Sequence, residues 1–107
     1  MRIEIGEKFV HDWFGESNAI LVNGGLVGII IYEVNKNIEI NRIAIEPEYR
    51  RQGIGTKVVE HLMNLHPYKN VVGMAEPDRV AVGFWKKLGA ELDFENADWY
   101  IPFILNY

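Results

Sequence analysis

A glycine-bearing basic segment, Arg50-Arg51-Gln52-Gly53-Ile54-Gly55-Thr56, is the part of the sequence best suited to chemistry. An amphipathic helix is predicted to begin at Ile54, so the segment passes from a loop into a helical turn. Glycines let backbone N–H groups approach a ligand, and the first N–H groups of a helix have no intrahelical acceptor. Arginines add the bidentate donors that phosphates bind. The segment predicts a phosphate or pyrophosphate site, although the same glycines would also suit a tight turn that packs the helix on its strand.

Two common nucleotide-binding motifs do not account for this segment. It has neither the Gly-Lys-Ser/Thr of a P-loop nor the Gly-x-Gly-x-x-Gly of a dinucleotide site. Taken alone, the residues therefore predict an anion at a helix start without naming the molecule that carries it.

The elements that would position this segment follow from hydrophobic periodicity and turn residues. In chain order the sequence predicts a strand at Arg2–Ile5, strands at Ala19–Val22 and Leu26–Val34 joined by an Asn23-Gly24-Gly25 turn, a strand at Ile38–Ile45, a helix from Ile54 that Pro67 stops, a strand at Val71–Ala75, a helix opened by Pro77-Asp78, and a closing hairpin of Ala90–Phe94 with Trp99–Leu105. Glu7–Phe14 fits a helical face but is also aromatic enough for a strand. The order predicts an α/β fold with a mixed sheet.

Each predicted helix has an apolar face that should pack on the sheet. The first face comprises Ile54, Val58, Leu62 and Leu65, and the second Val80, Ala81, Phe84, Trp85 and Leu88. Pro102 has no N–H to donate, so it predicts an edge or bulged position in the last strand.

Two blocks of the sequence resemble the GNAT family of N-acetyltransferases. Ile43-Ala44-Ile45-x-Pro47-x-Tyr49-Arg50-Arg51-x-Gly53-Ile54-Gly55 is similar to the family's motif A, and Asp78-x-x-Ala81-x-x-Phe84-Trp85-x-x-Leu88-Gly89 to its motif B. The resemblance implies the GNAT fold: an α/β domain over residues 1–107 with a mixed, mostly antiparallel central sheet flanked by helices. It also implies that the strand before motif A splays from the strand after its helix, leaving a V-shaped gap for the pantetheine arm of coenzyme A.

The activity implied by the resemblance is acetyl transfer from acetyl-CoA to a primary amine of a small molecule, peptide or protein. The residues that would contact the cofactor are Ile43, Ala44, Ile45, Arg50, Arg51, Gln52, Gly53, Ile54, Gly55, Thr56, Asp78 and Trp85. The backbone of 43–45 would pair with the pantetheine arm and polarise the acetyl carbonyl, while residues 51–56 would hold the pyrophosphate.

Three glutamates are candidates for the base that deprotonates the amine. Glu39 comes first because it matches the catalytic glutamate of histone-acetylating members; Glu76 is second and Glu46 third. Trp85 stands where motif B usually has a tyrosine, and an indole cannot protonate a thiolate. Asp78 replaces the usual asparagine. Either water protonates the leaving thiolate or catalysis is slow or absent, so the alternative is a non-catalytic acyl-CoA-binding regulatory protein that contacts a protein partner.

The amino-terminal region departs from the family pattern. GNAT proteins usually have two helices between their first two strands, whereas Gly6–Asn18 leaves room for one or two helical turns. This shortened helical region predicts an open acceptor groove, or one completed by a second subunit. Four carboxy-terminal aromatic residues would serve a homodimer or belong to the core: Trp99, Tyr100, Phe103 and Tyr107.

Composition excludes several other classes. The 107 residues suit one small domain, and a net charge of −4 argues against a general nucleic-acid binder. No cysteine is present, and the three histidines lack metal-ligand spacing, so no metal is expected. The longest apolar run, Leu26–Tyr32, is too short to span a membrane. With no signal-peptide pattern at the amino end, the expected location is the cytoplasm.

Overall fold

The computed structural model describes residues 1–107, which form one seven-stranded sheet and two α-helices. The strands are β1 (Ile3–His11), β2 (Gly15–Val22), β3 (Gly25–Val34), β4 (Ile38–Ile45), β5 (Val71–Ala75), β6 (Glu91–Leu92) and β7 (Ile101–Leu105), and the helices are α1 (Ile54–Leu65) and α2 (Arg79–Leu88). Their order in the sheet is β1-β2-β3-β4-β5-β7-β6, and only β4 and β5 pair in parallel. The predicted mixed, mostly antiparallel α/β fold is confirmed.

The region predicted to hold one or two helical turns holds none. β1 and β2 form an antiparallel hairpin in which His11 pairs with Gly15, and only Asp12–Phe14 connect them. The ambiguous stretch Glu7–Phe14 is therefore mostly strand. Local periodicity allowed both outcomes, and cross-strand pairing with residues 15–22 decided between them, because strand preference depends on the neighbours a strand finds.

Both helices pack on one face of the sheet. The buried residues of that face include Ile38, Ile40, Val71, Ile101 and Phe103. They form a single core with side chains of both helices: Ile54, Val58, Val59 and Leu62 of α1 and Trp85 of α2. Burial of these side chains supplies the main stabilisation, at about 25 cal/mol per Å² of apolar area. The opposite face carries no helix.

Two residues predicted on the buried helical faces are exposed. Leu65 is 57% and Val80 81% exposed. Leu65 is the last residue of α1 and Val80 the second of α2. The periodic pattern extends to the helix ends, whereas the sheet covers only the central turns.

The last strand, β7, lies inside the sheet between β5 and β6, so the edge position predicted from Pro102 is wrong. Pro102 pairs with Met74 of β5, and its carbonyl accepts from Asp93 N–H on the β6 side. In a strand the N–H and C=O of one residue point the same way. The position of the missing N–H therefore faces β6. That strand is only two residues long and has already ended at this point, so no ladder bond within β6 is lost.

Candidate active site

A gap opens in the sheet between β4 and β5. The two strands pair only from Ile38 with Val71 to Ile40 with Gly73. A Cβ on Gly73 would lie 2.5 Å from the Ile40 carbonyl oxygen, so glycine permits the close approach at the last paired position. Beyond it, residues 41–45 of β4 have no partner on β5. The splayed strands that the family resemblance implied are confirmed.

A β-bulge at Asn41 determines which side chains face the gap. Tyr32 pairs with Ile40 and Ile31 pairs with Arg42, so Asn41 is the extra residue of β4. Such an insertion inverts the alternation of side chains along a strand. Ile43 and Ile45 consequently join Ile38 and Ile40 on the helix side, and Arg42 is directed to the helix-free face.

The backbone of β4 offers donors along the gap. Glu46 N–H donates to Val27 O of β3 at 2.8 Å, and successive residues of a strand direct their backbone groups to opposite sides. The N–H groups of Ile45 and Ile43 therefore point away from β3 and towards the gap. Arg50 Nε donates to Ile45 O at 2.9 Å, in agreement with this direction.

The loop between β4 and α1 ends in an uncapped helix start. Gly53 is the N-cap residue at φ +75° and makes no side-chain cap bond, and Arg51 also has positive φ (65°). The first intrahelical bond runs from Lys57 N to Gly53 O at 3.1 Å. The preceding N–H groups, those of residues 54–56, have neither an intrahelical acceptor nor a capping side chain. The predicted anion cradle is thus a set of free donors.

The two glycines of the cradle have different reasons to be glycine. A Cβ on Gly53 would meet nothing within 4 Å, so its left-handed conformation explains the residue. A Cβ on Gly55 would lie 2.9 Å from the ring of Phe84, so Gly55 allows α2 to pack on the start of α1. The turn explanation therefore holds for Gly53 and the packing explanation for Gly55, and the open space at Gly53 leaves room for a ligand beside the free donors.

The three candidate glutamates are not brought together. Glu39 is exposed on the helix-free face, directly opposite Glu33 of β3, and it precedes the point where the gap opens. Glu46 follows the far end of β4. At about 3.3 Å per residue along the strand, it lies on the order of 20 Å from Glu39. Glu76 follows β5 and forms an ion pair with Arg42, with 3.3 Å between Oε1 and Nη1. This ion pair crosses the gap between the two strands.

Arg42 was not anticipated from the sequence. Its guanidinium lies over the ring of Phe14 at 4.8 Å, and the β1–β2 connection thereby reaches the gap. His11 supports this connection because its Nδ1 accepts from Trp13 N–H at 3.0 Å and from Phe14 N–H at 3.3 Å. The only sequence signal for Arg42 was a charged residue within an apolar strand. Its orientation depends on the bulge at Asn41, which is set by the pairing register of β4 with β3.

The two motif B residues have structural roles. Asp78 is the N-cap of α2, and its Oδ1 accepts from Ala81 N–H at 2.8 Å. Trp85 is 5% exposed and stacks on Phe103 with 3.9 Å between ring centroids. Of the four carboxy-terminal aromatic residues, Phe103 belongs to the core, whereas Trp99, Tyr100 and Tyr107 are exposed. Their use in a homodimer stays a prediction, as does the cytoplasmic location.

No group of three or more His, Cys, Asp or Glu side chains is placed to hold a metal ion. Neither helix has the length and hydropathy needed to cross a membrane.

Comparisons with known proteins agree with this geometry. The model of the acetyltransferase (GNAT) family matches residues 3–90. Thialysine N-ε-acetyltransferase of Mus musculus is 31% identical over 91 residues, which are 79% of this chain and 54% of that protein. The chain thus spans about half the length of this relative.

Two solved structures share the fold. The PaiA N-acetyltransferase of Thermoplasma acidophilum, in complex with coenzyme A, superposes with a TM-score of 0.68 at 18% identity, over 85% of this chain and 60% of that one. Arabidopsis thaliana Naa50, in complex with the bisubstrate analogue CoA-Ac-MVNAL, gives 0.63 at 18% identity, over 85% and 71%. The family model, the splayed strands and the glycine cradle together establish that the chain belongs to the GNAT acetyltransferase family.

Proposed function

We propose that this chain is an acetyl-CoA-dependent N-acetyltransferase that moves the acetyl group directly to a primary amine while both substrates are bound. One observation carries the proposal: the sheet opens between β4 and β5, and the strand that borders the gap, β4, leads through a short loop into the uncapped start of α1. A long cofactor with an anionic middle and an extended arm fits this combination of donors and gap.

The residues predicted to contact the cofactor divide by the part they would hold. The pyrophosphate would accept from the N–H groups of residues 53–56, and Arg51, which has no acidic partner within ion-pair distance, would add charge. The pantetheine arm would pair with the gap-facing N–H groups of Ile43 and Ile45. Gln52 and Arg50 are exposed beside the cradle, while Asp78 and Trp85 would act through the position of α2 because each is engaged in the protein.

The chemistry requires a base for the amine and a source of a proton for the leaving thiolate. The amine nitrogen, once deprotonated, forms a bond to the acetyl carbon; the carbon–sulfur bond breaks, and the sulfur leaves with the electron pair. We assign the base to Glu39, because Glu76 is held by Arg42 and Glu46 lies at the cradle end. The thiolate then takes its proton from water, because the buried indole of Trp85 cannot supply one.

Titration calorimetry with acetyl-CoA and with desulfo-CoA tests the cradle. Gly53→Glu should abolish binding of both ligands, because a side chain and a negative charge would occupy the donor loop. Gly24→Glu is the matched control: it adds the same charge at another left-handed glycine (φ +84°) where a Cβ meets nothing within 4 Å, and it should bind normally. Unchanged affinity in Gly53→Glu would overturn the cradle.

Turnover distinguishes the enzyme from the alternative, an acyl-CoA-binding regulatory protein. Release of free thiol should depend on both acetyl-CoA and a primary amine. Binding of acetyl-CoA without amine-dependent release across amino acids, peptides and polyamines would favour the regulatory role. No binding at all would contradict both.

A further inference from the structure

The ion pair between Arg42 and Glu76 lies on the acceptor side of the gap. The cradle belongs to α1, on the helix-covered face, whereas Arg42 is directed to the helix-free face by the Asn41 bulge. A cofactor arm that enters from the helix side would present its acetyl group towards this second face. The side chains that surround the opening there are therefore placed to meet the amine substrate, if the proposed function holds.

The pair is accessible and only partly satisfied. The side chains of Arg42 and Glu76 are 38% and 49% exposed. One guanidinium nitrogen, Nη1, contacts Glu76, and the guanidinium face rests on Phe14. Arginine has five N–H donors in a planar fork, so donors remain for a second carboxylate. The Glu76 carboxylate likewise keeps an oxygen that no arginine contacts.

A simple amine is poorly matched to this pair. An ammonium group that approached Glu76 would be attracted by the carboxylate but repelled by the adjacent guanidinium. A group that carries an ammonium and a carboxylate on one carbon would place each charge beside its opposite, and no charge would lose its partner. A peptide amino terminus supplies the ammonium without the neighbouring carboxylate.

We propose that Arg42 and Glu76 bind the head group of a free amino acid, Arg42 taking the carboxylate and Glu76 the α-ammonium, and that the side-chain amine of this amino acid is the group acetylated. The proposal rests on the proposed function for the reaction, but the binding of the head group can be measured without turnover. It assigns Glu76 to substrate positioning and leaves the proton transfer to Glu39.

Equilibrium binding of three matched ligands tests the proposal. Binding is monitored by the NMR chemical shifts of the protein, with and without desulfo-CoA. The ligands are L-lysine, 1,5-diaminopentane, which lacks the carboxylate, and 6-aminohexanoate, which lacks the α-ammonium. A hydrogen bond to a charged group contributes roughly tenfold in affinity, so lysine should bind about tenfold more tightly than either analogue. Equal affinities, or tighter binding of a tripeptide amide, would overturn the proposal.

Variants then assign each half of the head group. Arg42→Gln should remove the preference of lysine over 1,5-diaminopentane, and Glu76→Gln the preference over 6-aminohexanoate. Lys8→Gln is the control, because it breaks another exposed ion pair, the one between β1 and β2 with Glu16 at 3.8 Å. A purely structural bridge would lower the unfolding temperature and leave the ligand ratios unchanged, which would also refute the proposal. If the wild-type protein preferred lysine as expected but did not bind acetyl-CoA, only the proposed reaction would be refuted.

Discussion

Phe84 of α2 packs on the start of α1 so closely that a Cβ added at Gly55 would lie 2.9 Å from its Cε1 atom. The ring is half-buried and meets Trp85 edge-on at 4.9 Å. The helix whose first N–H groups form the predicted cradle is thus positioned by the second helix, and the contact has room only for glycine.

Gly55→Ala should lower the free energy of unfolding. Overpacking typically costs about 1–3 kcal/mol, and the better helix propensity of alanine offsets up to about 1 kcal/mol. We expect a net loss of about 1 kcal/mol, measured by urea denaturation.

Gly83→Ala is the control for this substitution, because the added methyl group meets open space and should stabilise the protein slightly. Phe84→Leu should relieve the clash, so the Gly55→Ala and Phe84→Leu effects should be less than additive. Equal stability of Gly55→Ala and wild type would contradict the packing explanation.

Asp78→Ala should destabilise α2, because the bond from Ala81 N–H to the carboxylate would be lost. Removing an N-cap costs about 1 kcal/mol. Asp78→Asn keeps an acceptor oxygen and should retain nearly full stability. If Asp78 acts through the position of α2, acetyl-CoA affinity should follow helix stability across these variants, and a loss of affinity in a stable Asp78→Asn would show a direct contact.

Glu39→Gln should lower kcat by about 10²–10⁴, the usual contribution of a general base, with little change in the KM for acetyl-CoA. The structure supplies a matched control in Glu33→Gln. Glu33 lies directly opposite on β3, shares the exposed face and carries the same charge, but it is one strand further from the gap.

Two outcomes of this comparison would move the assignment. If both glutamine variants lost activity equally, the effect would be the general loss of negative charge on this face. If Glu39→Gln kept full activity, the base would have to be sought at Glu76, and the head-group role of Glu76 would fall with it.

Trp85→Tyr should cost stability, because the indole is buried and stacked on Phe103. A large-to-smaller core substitution of this kind leaves unfilled volume, and we expect a loss of about 1–3 kcal/mol. Well below the unfolding temperature, turnover per folded molecule should equal or exceed that of wild type, if the proton-donor position is merely vacant. A large fall in kcat for the folded variant would show that the indole is needed in the site.

The sequence by itself determined the local features of this protein. The strand that ends at Ile45, the glycine at 53 and the helix that follows are specified by neighbouring residues, since periodicity and backbone freedom act over a few positions. That is why the cradle and the order of most elements could be predicted, and why two short blocks sufficed to indicate the family.

Only the tertiary structure decided the features that depend on pairing between distant segments. The second half of β1, Glu7–His11, is strand because it pairs with β2, and β7 lies in the sheet between β5 and β6. The bulge at Asn41 exists only in the register of β4 against β3, and it directs Arg42 to the face where Glu76 lies, 34 positions later in the chain. A one-residue change of register reverses the face of every following side chain, and no local pattern in the sequence specifies it.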